Sequence, residues 1–270
     1  MSANQRDPWQ IHIERVELQL DQVLFESVAQ AAYVYFPTTA VVSLLYVMCD
    51  GESCEIAVVG NVGVVGQAPF VGGSAQPIQA KVQGAGQAYR IRASIVHDEV
   101  WRASAVLEIM RTYVDAMNAQ VAQTAVCNRY HSIDQQLCRR LLLGMDRAQS
   151  HELMMSHQLA ASLLGVRRES VTIAALRLQQ VGAIRYNRGH IVVLDRGQLE
   201  QGACECYGSL KRVYERLPGA AAATHERAAA HTTKWPRARD HLPPRGRVIV
   251  EAPMSSMTPA ASSAAPIHNR

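Results

Sequence analysis

The side chains best suited to chemistry follow a glycine near the middle of the chain. Arg167, Arg168 and Glu169 come shortly after Gly165, between two segments whose apolar spacing predicts helices. Glycine is favoured in a tight turn because it adopts positive φ without steric cost. Arginine can form two hydrogen bonds with guanine, and glutamate can accept one from cytosine. Residues 156–176 therefore predict a helix-turn-helix whose second helix contacts bases; the alternative is a helical hairpin with a solvated basic turn.

Further contacts with nucleic acid are predicted around this motif. Ser170 and Thr172, on the second helix, can bind phosphate or contact a thymine methyl. Residues 183–186 and 190–194 predict a wing of two strands around the turn 187–189. Basic side chains on such a wing position a protein on the sugar–phosphate backbone without specifying sequence. The predicted DNA contacts are Ser156, His157, Arg167, Arg168, Glu169, Ser170, Thr172, Arg185, Arg188 and His190.

The N-terminal part of the chain predicts β structure. Residues 11–18 alternate apolar and polar side chains, which is the period of a half-buried strand. Asp50 and Gly51 favour a hairpin turn because both residues tolerate positive φ. Short strands at regular spacing favour a sandwich or barrel. They are expected at residues 11–18, 32–36, 41–47, 55–59, 79–83 and 87–91, with a glycine-rich loop over 60–73.

A long helix is predicted next, because residues 98–143 contain neither proline nor glycine. Its apolar side chains recur at three- and four-residue steps, which is typical of a seam between paired helices. The seam consists of Leu107, Met110, Val114, Met117, Val121 and Thr124. We expect this helix to pair with a second copy of the chain; the alternative is packing on its own domain. Asp98 and Glu99 are expected at its N-terminus. Further helices are predicted at 133–144, 151–164, 166–181 and 196–217. Val171, Ala175 and Leu176 are expected to hold the helix over 166–181 on its domain.

Composition restricts the class of protein. Of 270 residues, 48% are apolar and 19% charged, which suits a soluble globular protein with about two domains. The chain lacks both a run of about 18 apolar residues and an apolar N-terminal stretch. We therefore expect neither a membrane span nor a secretory signal, and a cytoplasmic location. Six cysteines are too few for a disulfide scaffold.

Charge is distributed unevenly along the chain. Residues 1–150 carry 11 basic and 14 acidic side chains, and residues 151–217 carry 9 and 6. This asymmetry favours a polyanionic partner for the second half. Residues 218–270 contain 13 alanines and 7 of the 11 prolines. Few large apolar side chains remain there to offset chain entropy, so a disordered tail is predicted.

The predicted helix-turn-helix resembles that of the Crp/Fnr transcription regulators. Residues 165–171, Gly-Val-Arg-Arg-Glu-Ser-Val, are similar to the family pattern Gly-x-Ser-Arg-Glu-Thr-Val. The resemblance also covers residues 11–130, where the family has a cyclic-nucleotide-type β-roll and a dimer helix. It implies that Arg168 and Glu169 are the base-reading pair. The next family arginine falls on Ile173, so the preferred operator should differ from that of the catabolite activator.

The effector cassette of the family is degenerate here. It corresponds to Gly60, Gly63, Val64, Gly66, Ile78 and Gln79. In cyclic-nucleotide binders a glutamate holds the ribose where Val64 stands, and an Arg-Ser pair holds the phosphate where Ile78 and Gln79 stand. A phosphate buried without a cation is costly. We therefore expect no high-affinity binding of cyclic AMP or cyclic GMP.

The cysteines give weak signals for metal or redox chemistry. Oxygen sensors of the resembled family hold an iron–sulfur cluster through N-terminal cysteines, but no cysteine precedes Cys49. Cys49 and Cys54 flank the predicted hairpin turn and could face each other. Cys204 and Cys206 form a C-x-C pair without evident partner ligands. We expect structural thiols, no metal and no cofactor; a redox switch would require a lowered thiol pKa.

The expected fold class is α+β. The predicted domains are a jelly-roll-like β-roll sensor over 1–105, a dimerisation helix over 106–132, a winged helix-turn-helix over 133–217 and a tail over 218–270. Catalysis is not expected, because the chain lacks a G-x-S-x-G elbow, a Walker loop and an H-E-x-x-H motif.

The predicted function is sequence-specific transcription regulation by a homodimer on a palindromic double-stranded operator. RNA polymerase is a further candidate partner, and the effector is open. Two alternatives remain: a β-roll that docks another protein, or one that senses another small molecule. In the first, DNA binding would be weak, salt-sensitive and blind to sequence.

Overall fold

The computed structural model describes residues 11–66, 77–100 and 104–217. The predicted tail at 218–270 and residues 67–73 of the glycine-rich loop lie outside these residues. The N-terminal strands are β1 (Glu14–Leu18), β2 (Val23–Phe25), β3 (Tyr33–Pro37), β4 (Val41–Val47), β5 (Ser53–Val59), β6 (Ile78–Gly84) and β7 (Gly86–Arg92).

These strands form two antiparallel sheets, one of order β1-β7-β3 and one of order β2-β6-β4-β5. Their inner faces enclose an apolar core that includes Val34, Leu44 and Ile91. The predicted strands are confirmed, and β2 is an addition. Three residues are too few for an alternating pattern to be recognised from sequence. We refer to residues 14–92 as the β domain.

The hairpin predicted at Asp50 and Gly51 is present, since β4 pairs with β5 across it. Of these two residues, only Gly51 adopts positive φ, at 86°. The Asp50 carboxylate instead accepts a hydrogen bond from the Glu52 backbone N–H at 3.0 Å. Such a local bond is an ordinary way for aspartate to stabilise a turn.

The remaining elements are helical with three short strands. The helices are α1 (Ala93–Val100), α2 (Ser104–Tyr130), α3 (Ile133–Ala148), α4 (His157–Leu164), α5 (Arg168–Gln180), α6 (Arg196–Gly202) and α7 (Glu205–Tyr214). The strands are β8 (Glu152–Met154), β9 (Ile184–Asn187) and β10 (His190–Val193), in the order β8-β10-β9. Within the described residues, no helix combines the length and hydropathy needed to cross a membrane.

Three predicted helix boundaries are wrong. The segment 151–164 begins with a strand, because Leu153 pairs with Ile191 of β10 and the helix starts only at His157. α1 begins at Ala93, directly after β7, so Asp98 lies in its second half rather than at its N-terminus. The last predicted helix is interrupted between Gly202 and Glu205.

α2 confirms the predicted long helix. Part of its apolar seam is buried, and the rest is half-buried. Met117 and Thr124 are buried, and Met117 belongs to the core of the β domain. Leu107, Met110 and Val121 are half-buried and pack against that same core. Val114 is also half-buried. Much of the seam therefore covers its own β domain, as the alternative prediction had it.

A second core joins the β domain to the helices that follow. Val41 and Leu45 of β4 and Val58 of β5 cluster with buried side chains of α3, α4 and α5. A buried ion pair crosses this contact: Arg140 Nε of α3 lies 2.7 Å from Glu55 Oε1 of β5. The C-terminal region is therefore packed firmly on the strands that precede it.

Candidate nucleic-acid interface

The helix-turn-helix is fixed at its caps. Ser156 caps α4 because its hydroxyl accepts a hydrogen bond from the Leu159 backbone N–H at 3.0 Å. Gly165 ends α4 with a φ of 65°, the left-handed conformation that glycine adopts most easily. The next N–H, of Val166, returns to the Ala161 carbonyl at 3.0 Å. The turn glycine predicted from the sequence is confirmed.

α5 has one face in the core and one in solvent. Its buried residues are Val171, Ala174, Ala175 and Leu178. Leu176 is 48% exposed, so the prediction that it anchors the helix is wrong; Ala174 and Leu178 do so instead. Ile173, where the resembled family has an arginine, is 51% exposed. The solvent face thus combines charged side chains with apolar ones that can contact thymine methyls.

The predicted base-contacting residues lie at the exposed start of α5. Arg167 is the N-cap residue, without a side-chain cap bond, and Arg168 and Glu169 form the first turn. All three are exposed. Ser170 is half-buried. The N-terminal turn of a recognition helix is the part that enters the major groove, so these side chains stand where base contacts require them.

His157 and Thr172 brace the motif from within. The His157 ring stacks on Tyr186 of β9, with ring centroids 4.0 Å apart, and its Nδ1 lies 3.0 Å from the Thr172 hydroxyl. That hydroxyl donates to the Arg168 carbonyl at 3.0 Å. Burial, and then the charge of Arg168, lower the pKa of His157. A neutral, half-buried ring at this point links α4, α5 and β9.

The wing is a hairpin with a basic outer face. Arg188 and Gly189 both adopt positive φ, at 45° and 88°, as a tight two-residue hairpin turn requires. Side chains of the outer face line a shallow depression of about 370 Å³. Its lining residues are Arg185, Asn187, Arg188, His190 and Val192. β8 pairs with β10, so the wing has a third strand beyond the two predicted.

The wing and α5 form one framework. Gln179 of α5 accepts a hydrogen bond from the Tyr186 backbone N–H at 3.0 Å. Together with the ring of His157, this contact holds β9 against both helices of the motif. Arg167 and Arg168 on α5, and Arg185 and Arg188 on the wing, are exposed on elements that these contacts hold together. Their individual DNA contacts stay predictions.

The glycines of the effector cassette serve close packing. A Cβ on Gly60 would lie 2.6 Å from Arg147 Cβ, and one on Gly63 would lie 2.5 Å from a Val59 methyl. Gly66 adopts a φ of 88°. Val64, which replaces the family glutamate, is 5% exposed within the β-domain core. These residues keep the turn after β5 compact, as the sequence suggested.

An apolar and an uncharged side chain occupy the positions of the family's Arg-Ser pair. Ile78 is half-buried and packs against the β-domain core. Gln79 donates a hydrogen bond from Nε2 to the Glu26 carboxylate at 2.7 Å. The nearby Lys81 forms an ion pair with Asp21 at 2.8 Å. None of these described side chains is placed as a free cation toward a phosphate.

The cysteines depart from the sequence prediction. Cys54 pairs with Tyr46 across the β4–β5 hairpin, so it does not face Cys49. The C-x-C pair does have partners, because Cys127 and His131 bring ligand atoms within 4.8 Å of those of Cys204 and Cys206. The interpretation that this pair lacks partner ligands is therefore wrong, whereas the expectation of no bound metal is not tested by this geometry. The missed signal was a Cys-x-x-x-His pair at the end of α2, where i and i+4 share a helix face.

The structure gives no support to a redox switch based on an activated thiolate. Burial raises the pKa of the Cys54 and Cys206 thiols. It also raises that of Cys127 to about 12 and that of Cys138 to about 11. A reactive cysteine needs the opposite shift.

Comparison with known proteins identifies this architecture. The Crp-like helix-turn-helix domain matches residues 135–201. The match identifies these residues as a Crp-type helix-turn-helix domain. The α+β class predicted from the sequence is confirmed. No curated protein sequence matches the chain.

Solved structures support the fold of the whole described chain. FixK2 of Bradyrhizobium japonicum aligns with a TM-score of 0.59 at 17% identity, over 71% of this chain and 98% of that one. A CRP-family transcriptional regulator of Thermus thermophilus aligns with a TM-score of 0.58 at 17% identity, over 70% and 96%. The c-di-GMP-responsive regulator CLP of Xanthomonas campestris gives 0.54 at 16%, over 68% and 95%. Likeness at this identity establishes the fold alone.

Proposed function

We propose that this chain is a Crp/Fnr-type transcription regulator that binds a specific palindromic operator as a homodimer. The observation that carries the proposal is the exposed first turn of α5, with Arg168 and Glu169 uncovered above a helix whose other face is buried. Arginine and glutamate at this position can discriminate bases, whereas the basic wing can hold the phosphates. The Tyr186 contacts keep both surfaces in one orientation.

Dimerisation through α2 is part of the proposal. Leu107, Met110, Val114 and Val121 remain only half-buried after packing on the β domain. Ile109 and Val126 are 42% and 47% exposed on the same helix. A second α2 packed on the seam would cover its half-buried side chains. Two-fold symmetry would then place two recognition helices about 34 Å apart, in successive major grooves.

The domain boundaries proposed are those given by the sequence: a β-roll over 1–105, a dimer helix over 106–132 and the DNA-binding domain over 133–217. Recognition of chromosomal DNA places the protein in the cytoplasm, and RNA polymerase is the partner that an operator-bound regulator would contact. A signal would act by binding two arrangements of the DNA-binding domains with different affinity.

The same proposal excludes cyclic AMP and cyclic GMP as effectors. Val64 fills the position of the ribose-binding glutamate with a buried apolar side chain. Ile78 and Gln79 offer no charge to a phosphate. Operator binding is therefore expected without added cyclic nucleotide.

The test is selection of random DNA duplexes by the purified full chain, at near-physiological salt and without ligand. Enrichment of a two-fold symmetric motif would support a sequence-specific dimer. Retention of DNA without any enriched motif, with an affinity that falls steeply with salt, would overturn sequence-specific recognition. That result would favour the alternative in which the β domain docks another protein and DNA binding is secondary.

A further inference from the structure

Four side chains with metal-binding atoms meet where α2 ends and α7 begins. Cys127 lies in the last turn of α2, and His131 follows that helix directly. Cys204 is the N-cap residue of α7, and Cys206 lies in its first turn. The three cysteines form a small buried cluster of their own, apart from the two large cores. Two helices distant in sequence thus contribute one pair of ligand atoms each.

The distances in this cluster fit a single small ion. Cys127 Sγ lies 3.6 Å from Cys204 Sγ, and Cys206 Sγ lies 3.5 Å from His131 Nδ1. All four ligand atoms lie within 4.8 Å of one another. A tetrahedral zinc ion, with bonds of about 2.3 Å to sulfur and about 2.0 Å to nitrogen, separates two sulfurs by about 3.8 Å and a sulfur from a nitrogen by about 3.5 Å. The cluster therefore has the dimensions of a Cys3His site.

Surrounding groups orient the ligands as outer contacts of a metal site do. His131 presents Nδ1 to Cys206, while its Nε2 lies 3.3 Å from the Glu205 carboxylate. A carboxylate on the far nitrogen is the usual outer partner of a metal-binding histidine. Gln123 donates a hydrogen bond from Nε2 to Cys206 Sγ at 2.9 Å, which would stabilise a thiolate. The His131 side chain is 13% exposed, which leaves a route from solvent.

We propose that Cys127, His131, Cys204 and Cys206 bind one zinc-class metal ion per chain. The ligand set of three thiolates and an imidazole suits Zn²⁺, and it leaves no fourth position open for chemistry. A cluster of several irons would need its thiolates on different metal atoms and therefore farther apart. The ion would fasten the C-terminal helix of the DNA-binding domain to the end of α2.

This site lies at the joint between α2 and that domain. α3 starts two residues after His131, capped by Ser132 through a reciprocal pair of hydrogen bonds with Gln135. The Gln136 side chain donates to the His131 carbonyl at 2.9 Å. Fixing His131 to α7 would therefore restrain the joint in the chain. The site follows from the cysteine and histidine geometry and does not depend on DNA binding.

The experiment titrates Co²⁺, then Zn²⁺, into the reduced, metal-free full chain and records the cobalt absorption spectrum. We expect one Co²⁺ per chain with intense tetrahedral bands and sulfur-to-cobalt charge transfer, displaced by one equivalent of Zn²⁺. Cys206→Ser should lower Zn²⁺ affinity by more than about 100-fold, since loss of an outer-shell partner alone costs about 10–100-fold. Glu205→Gln should fall within that smaller range.

The matched control is Cys49→Ser, because Cys49 is exposed and lies outside the cluster. It should bind Co²⁺ like the unmodified chain. Absence of tetrahedral cobalt bands in the reduced, folded wild-type chain would overturn the proposal, whatever the variants do. An equal loss of affinity in Cys49→Ser would also overturn it. A Cys127–Cys204 disulfide in protein isolated under reducing conditions would replace the metal site with a covalent bridge.

Discussion

The β domain and the helix-turn-helix both resemble solved Crp/Fnr structures in fold, but we propose that only the helix-turn-helix has the side chains for the family's chemistry. In the helix-turn-helix, Gly165 forms the turn and Arg168 and Glu169 are exposed beside it. In the β domain the turn glycines remain, but Val64 is buried and Ile78 packs on the core. Backbone requirements and ligand requirements are thus separate constraints. A β domain can keep the glycines that its turns require while losing the side chains that a ligand requires.

The charged groups of the β domain stabilise the protein instead of a ligand. Glu55 is bound by Arg140 of α3 and accepts a hydrogen bond from the Ser43 hydroxyl at 2.5 Å. Gln83 also contacts the Arg140 guanidinium. Burial lowers the pKa of Arg140, and the charge of Glu55 opposes that shift. This buried polar network of the β domain therefore connects it to α3.

The largest expected effect comes from breaking this ion pair. Glu55→Ala should lower the free energy of unfolding by about 3–5 kcal/mol, because it leaves the buried Arg140 guanidinium without its carboxylate. Denaturant unfolding followed by circular dichroism measures the change. Glu52→Ala, at an exposed position three residues earlier, is the control and should change stability by less than about 0.5 kcal/mol.

A double variant distinguishes the cost of leaving Arg140 unpaired from the net contribution of the ion pair to the free energy of unfolding. Glu55→Leu combined with Arg140→Met removes both charges and fills the same buried space with apolar side chains. Most of the lost stability should return, because well-packed apolar residues often replace a buried pair without cost. If Glu55→Ala alone leaves stability unchanged, the two regions do not depend on this pair.

The next prediction tests the helix-turn-helix and its wing. Arg168→Ala should weaken binding to the selected operator by about 1–3 kcal/mol and relax preference at one base pair of each half-site. Arg188→Ala, on the wing, should weaken all sequences alike and reduce the salt slope by about 1. Fluorescence anisotropy with operator and scrambled duplexes at several salt concentrations distinguishes them. Unchanged operator affinity for Arg168→Ala would contradict the assignment of α5 as the recognition helix.

The smallest expected effect concerns the β domain, where we expect cyclic nucleotides to leave the Tm unchanged. Saturating cyclic AMP or cyclic GMP should not raise the Tm, whereas a ligand at 100 times its Kd would add about 2.7 kcal/mol of stability. Thermal unfolding with and without nucleotide measures this. The operator duplex, which should raise the Tm, shows that the preparation binds ligands. A rise with either nucleotide would mean that other groups hold its phosphate.

Local patterns determined much of this protein from sequence. Alternating side chains predicted the strands, Gly165 predicted the turn of the helix-turn-helix, and the proline-free stretch before α3 predicted the long helix. Each of these patterns depends on neighbours within a few residues. The exposed Arg168 and Glu169 followed from their place after Gly165. The degenerate cassette was implied by the resemblance to the Crp/Fnr family, from the residue types at Val64 and Ile78.

Only the tertiary structure decided which distant groups meet. β8 was missed because three residues carry no period, and pairing with β10 made them a strand. Leu176 was taken as buried, but the angle at which α5 packs buried Ala174 and Leu178 instead. The Cys127 and His131 ligand atoms lie beside those of Cys204 and Cys206 although about 75 residues separate the two pairs. Such contacts depend on how helices pack, which no local pattern in the sequence encodes.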